Sequence, residues 1–158
     1  MDALPNVHWE QVFDHLLHLG VAFLLAAPIG WDRERNERGP GLRTFPLVAI
    51  GSCAFLLIGQ SVVDGSESHA RLLYGLMTGI GFIGGGSILK DHGNVTGTAT
   101  AASIWNTGAV GAAVAWRRYE IAIALALANF LLLRFGTSMK DVANADPTPQ
   151  SEPEAGLR

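Results

Sequence analysis

The chain has 158 residues, of which 49% are hydrophobic and 16% charged, with a formal net charge of −3. That length suggests one domain, the slight acidity gives no electrostatic footprint for nucleic acid, and the single cysteine, Cys53, excludes an intrachain disulfide or a multi-cysteine metal site. Charge gathers in one early link and in the C-terminal tail, which leaves long uncharged stretches between them.

Five such stretches follow one another, at residues 12–30, 45–63, 72–89, 99–116 and 119–135. Each is at the short end of the roughly 17 to 25 residues that cross a bilayer as a helix. Five in succession would leave a soluble domain with no polar faces for water. The pattern predicts an all-α fold, a polytopic membrane bundle of about five transmembrane helices over residues 1–139, followed by a disordered cytoplasmic tail over 140–158, rich in proline and poor in large apolar residues.

The segment ahead of the first run, "MDALPNVHWEQ", carries Asp2 and Glu10 where a cleaved signal peptide would be basic, so the first helix is expected to stay. Near its start, His15 and His18 share a face and Asp14 with His18 forms an i, i+4 pair; these groups could reach headgroups at the interface, bind a metal or sense pH. Its far end enters "WDRERNERGPGLRT". Ionisable groups at membrane depth need a reason, and Asp32, Arg33, Glu34 and Arg43 form either an interfacial ion-pair cluster or the mouth of an ion path. Carboxylates suit Mg²⁺ as oxygen ligands, although the neighbouring arginines argue against a simple cation site, with Asp32 the one weak metal candidate.

The second run starts with Thr44 as a candidate N-cap and Pro46 in the first turn, with Cys53 as a small apolar filler. The third contains "GIGFIGGGSILK", whose Gly79-x-Gly81-x-x-Gly84 has dinucleotide-binding spacing; no strand precedes it, so that reading fails. Gly75, Gly79, Gly81, Gly84, Gly85 and Gly86 are better explained by close helix packing or by a locally unwound helix lining a path. Gly108, Gly111 and Ala112 offer a similar surface on the fourth run. Asn106 and Asn129 need interhelical partners, and the fifth run, apolar all round, can face lipid. No nucleophile, base and orienting group assemble from the spacing, so no catalytic residue is expected and no enzyme.

Orientation follows from the basic residues near the helix ends. Arg33, Arg35, Arg38, Arg43, Lys90, Arg134 and Lys140 fall on one side, against Arg71, Arg117 and Arg118 on the other. Lysine and arginine prefer the cytoplasm, which puts the N-terminus outside and the C-terminus inside.

Three stretches carry a family resemblance: "GWDRERNERGPGLRT" from Gly30, "GLMTGIGFIGGGSILK" from Gly75 and "NVTGTATAASIWNTGAVG" from Asn94. In that order they resemble the signature regions of the MgtC/SapB family of bacterial inner-membrane proteins. The resemblance implies a five-helix inner-membrane protein tied to magnesium homeostasis, associated either with Mg²⁺ transport or with regulation of another membrane complex, such as the ATP synthase or an ion-uptake system. Mg²⁺ is thus a possible ligand or substrate, with no resident cofactor implied. The partners implied are the lipid bilayer, a second copy in a homo-oligomer, or such a heterologous complex.

The matching positions are Asp32, Arg33 and Glu34, then Gly41, Leu42, Arg43 and Thr44, then Gly79, Gly81, Phe82 and Gly84, and finally Asn94, Gly97, Thr100, Ala101 and Trp105. Of these, Asn94, Gly97, Thr100 and Trp105 are the candidates to face a partner. Gly85, Thr96 and the Thr98-Ala99 pair depart from the family pattern. Longer members carry a soluble C-terminal domain, and regulation through such a domain is not expected here.

Overall fold

The structure is a computed structural model and describes residues 8–35, 40–91 and 94–143. The described residues form α1 (Trp9–Arg35), α2 (Thr44–Val62), α3 (Ser66–Gly85), β1 (Leu89–Asp91), β2 (Asn94–Thr96), α4 (Thr98–Ala115) and α5 (Tyr119–Ala143). Five helices thus stand where the five apolar runs predicted them. Two, α1 and α2, are long and apolar enough to cross a membrane. In α3 and α4 the apolar run is diluted by glycine, alanine, serine, threonine and asparagine.

Helix ends differ from expectation for local reasons. Helix α1 extends a turn further at its C-terminal side because Arg33 and Arg35 suit the negative end of the helix dipole. Thr44 is inside α2, not its cap; Arg43 is at the N-cap and no side chain caps the helix. Helix α3 begins at Ser66, well ahead of the expected residue 72, and its first turn is tied by Arg71 to Glu67 at 2.6 Å. It is continuous to Gly85 and stops there, short of the expected residue 89. Three consecutive glycines weaken the last turn, and the Ser87 hydroxyl donates to the Gly84 carbonyl at 2.7 Å. Beyond it, β1 and β2 pair antiparallel with Leu89 opposite Thr96 and Asp91 opposite Asn94, a hairpin the apolar pattern did not predict.

At the C-terminal end the expected tail is corrected in part, since residues 140–143 continue α5. The tail from 144 on lies outside the described residues, as do Asp2, Arg38 and His92.

Helix α4 is the hub and touches the other four helices. Its C-terminal half is buried from Val110 through Ala115 because its side chains are small. Gly111 lets the backbones of α4 and α2 meet: a Cβ there would stand 2.2 Å from the Ala49 carbonyl oxygen of α2. Around it, Ala22, Ala26, Ala49, Cys53, Leu56, Val110, Val114, Ala122 and Ala126 form one core. A second, smaller cluster of Ile29, Phe45, Ile80 and Ile104 lies toward the arginine-rich end.

The outside of the bundle carries many large apolar side chains. Leu24, Leu47, Ile58, Phe82, Leu127 and Leu132 are all exposed. Water would penalise such a surface, and monomeric soluble proteins seldom carry one; hydrocarbon covers it without cost.

Candidate functional site

The last turn of α1 meets the start of α2, the start of α4 and the middle of α5. Asp32 and Arg33 are only 7% and 6% exposed, although adjacent residues on a helix point about 100° apart. Both can be buried because a different helix covers each. Arg33 donates through Nη2 to the Thr100 hydroxyl on α4. Asp32 faces α5, where Arg134 Nη1 stands 3.4 Å from its Oδ1.

Glu34 has a structural part. Its Oε2 accepts the Leu42 backbone N–H at 3.0 Å and so fastens the return of the chain toward α2. The link passes close over α1, since a Cβ on Gly30 would lie 2.9 Å from the Leu42 Cα. On the other side, Gly97 holds the start of α4 at φ +83°, in the left-handed region, and a Cβ there would meet the Ser87 carbonyl at 1.9 Å. Only glycine fits both the dihedral and the space. That fit brings Thr100, one turn later, to Arg33.

The expected site residues therefore separate into groups. Asp32, Arg33, Glu34 and Thr100 come together with Gly97 at the base. Arg43 and Asn94 are exposed beside them, with no side-chain partner among the described residues. Trp105 is 45% exposed and lines a groove between α3, α4 and α5 with Met77, Ile80 and Ile121. Of the α3 glycines, Gly84 packs on α4, its would-be Cβ 3.0 Å from the Ala101 carbonyl. Gly75, Gly79, Gly81 and Gly85 meet nothing within 4 Å, and Gly86 follows the helix as its C-cap. The bundle centre belongs to Gly108 and Gly111, not to Gly75 and Gly79. No group of three or more metal-ligating residues forms among the described residues.

Two polar features complete the interior. Thr100, Ser103 and Thr107 follow each other down one face of α4, and Asn129 on α5 donates to the Ser103 carbonyl at 3.2 Å and to the Thr107 hydroxyl at 3.3 Å. Asn106 donates to the Leu125 carbonyl at 3.1 Å. At the opposite end of the bundle, His18 is 1% exposed, with Nδ1 2.7 Å from the Asp14 carbonyl and Nε2 3.1 Å from the Tyr119 hydroxyl. Both contacts are met when Nδ1 carries the proton and the tyrosine donates. Asp14 in turn takes Arg117 at 2.8 Å. Arg134, Thr107 and the His18–Tyr119 pairing were not foreseen as site features; only their polarity in apolar runs marked them.

The sequence model of the MgtC family matches residues 19–142. The chain belongs to the MgtC family. Among curated MgtC proteins, that of Brucella abortus (strain 2308) is 41% identical over 103 residues, covering 65% of this chain and 43% of the relative. Protein MgtC of Salmonella typhimurium (strain LT2) is 36% identical over 125 residues, covering 77% of this chain and 53% of the relative. The chain thus matches about half the length of these MgtC proteins. No solved structure matches it significantly.

Proposed function

We propose that the chain is a multi-pass protein of the bacterial inner membrane, with its N-terminus outside, that serves magnesium homeostasis as a non-transporting regulator of another membrane complex. The observation that carries this reading is the filling of the bundle between its two polar ends. Ala22 and Ala26 of α1, Val110 and Val114 of α4, and Ala122 and Ala126 of α5 are 0–7% exposed and form one core cluster. A hydrated Mg²⁺ gives up water reluctantly and needs oxygen ligands. These six side chains offer none.

The faces left open support a partner. Gly75 and Gly79 border a groove of about 570 Å³ with Leu47, Phe55 and Ile83. Such a small-residue face suits a helix from another protein or from a second copy. The exposed Arg43 directly precedes Thr44, which lines the groove at its arginine-rich end. On this reading the chain has no catalytic group.

Association with Mg²⁺ transport is the second reading, favoured by the polar row Thr100, Ser103 and Thr107 that leads inward from Asp32 and Arg33. The row stops at Val110. Purified protein in liposomes under a Mg²⁺ or proton gradient separates the two readings. No flux is expected, together with a defined heterologous crosslink from Asn94 or Arg43 in native membranes. A flux that Asp32→Asn abolishes would overturn the regulatory reading.

A further inference from the structure

We propose that the recess between the end of α1 and the middle of α5 holds the phosphodiester headgroup of an anionic phospholipid. The recess is lined by Pro28, Trp31, Asp32, Arg35, Phe130 and Arg134 and has a volume of about 500 Å³. It lies on the α5 side of Asp32, away from the Arg33–Thr100 contact. Two guanidinium groups and one carboxylate line it, so the lining carries one net positive charge. A single phosphodiester matches it.

Neither arginine is fully engaged. Arg134 stands 3.4 Å from Asp32, longer than a charge-assisted hydrogen bond, and its side chain is 57% exposed. Arg35 is exposed with no partner among the described residues. A guanidinium offers a planar fork of donors that fits phosphate oxygens in pairs. Phe130 and Pro28 provide an apolar floor, and the exposed Trp31 suits the headgroup boundary.

Depth agrees with this assignment. Asp14, which pairs with Arg117, and Asp32, which pairs with Arg134, are on the same continuous helix. The rise between them is about 27 Å at 1.5 Å per residue, close to the roughly 30 Å of a bilayer's hydrocarbon core. The two ionic layers therefore bracket the hydrocarbon, and the recess is at the level of lipid phosphates. This inference rests on the transmembrane reading above and not on the regulatory one.

The test is native mass spectrometry of the full chain in mild detergent, with phosphatidylglycerol or phosphatidylcholine of the same acyl chains. Phosphatidylglycerol adducts should be several-fold more abundant, and should fall several-fold in Arg35→Gln while staying unchanged in Arg71→Gln, an arginine paired elsewhere with Glu67. Arg35→Gln is preferred to Arg134→Gln because it leaves the Asp32–Arg134 contact in place. Equal occupancy of the two lipids, or adducts indifferent to Arg35→Gln, would overturn the proposal. Displacement of the lipid by inorganic phosphate would assign the recess to free phosphate and overturn it too. Resistance of the membrane-bound chain to alkaline carbonate extraction tests insertion separately, so a chain that stays inserted without the lipid preference fails this proposal alone.

Discussion

Arg117 and Asp14 form a two-pronged ion pair, with Arg117 Nη2 2.8 Å from each carboxylate oxygen, and the arginine stands at φ +57°. The turn between α4 and α5 explains that dihedral. Arg117 N–H bonds the Val114 carbonyl at 2.9 Å and Arg118 N–H bonds the Ala113 carbonyl at 2.9 Å, the paired bonds of a Schellman ending. The left-handed residue of that motif is usually glycine.

Arg117→Gly should therefore be close to neutral in stability. The substitution relieves about 1 kcal/mol of left-handed strain and removes an ion pair whose partners are 65% and 40% exposed, a class worth about 0–1 kcal/mol. Asp14→Ala keeps the strain and loses the pair, so it should be the more destabilising of the two. Thermal unfolding in detergent orders them. The reverse order would show that the pair carries more than its exposure suggests.

Gly111→Ala and Gly79→Ala should behave oppositely. At Gly111 the new methyl would collide with the Ala49 carbonyl oxygen and come within 2.9 Å of the Ser52 Cβ, so α2 and α4 must separate. Overpacking of this kind costs about 1–3 kcal/mol. At Gly79 nothing lies within 4 Å, and alanine gains up to about 1 kcal/mol of helix propensity. Unfolding of the two variants by denaturing detergent measures both. Equal destabilisation would mean that another chain covers the Gly79 face.

That contrast also marks what could be read from the chain before its structure. Apolar runs located all five helices because hydrophobicity over about twenty residues needs no tertiary information. The same runs misplaced the ends of α3. Leu72 and Leu89 bound the apolar stretch, whereas the helix is bounded by Gly65 at φ +89° and by Gly84, Gly85 and Gly86. The β1–β2 hairpin has three residues per strand, too few for an alternation to register. Asp32, Arg33 and Glu34 were visible as charges beside an apolar run. Their partners were not, since Thr100 and Arg134 follow Arg33 and Asp32 by 67 and 102 positions and no local period links them. The glycines carried no sign of which would touch another helix, because close approach depends on the neighbour's shape as much as on the glycine.

Thr100→Val should weaken the arginine-rich end more than its size change suggests. Valine preserves the volume and removes the oxygen that accepts from Arg33, a cation only 6% exposed. Removing one partner of a buried charged group costs on the order of 1–3 kcal/mol. Thr100→Ser keeps the hydroxyl and should retain most of the stability. Thermal unfolding of the pair isolates the hydrogen bond from packing, and equal losses in both variants would show that the threonine methyl matters instead.

Gly97→Ala should be among the most damaging single-methyl additions at this end of the protein. The left-handed φ of +83° costs about 1 kcal/mol for an L-residue. The methyl would also overlap the Ser87 carbonyl oxygen, which is backbone and has no rotamer to yield. Relief requires the segment from Ser87 to Leu89 to move away from the start of α4, which would open the base of the hairpin and shift Thr100 away from Arg33. Hydrogen exchange at the amides of residues 94–101 reads that opening directly. Faster exchange there, with α1 and α2 protected as before, is the expected result; unchanged exchange would show that the chain absorbs the methyl without moving the hairpin.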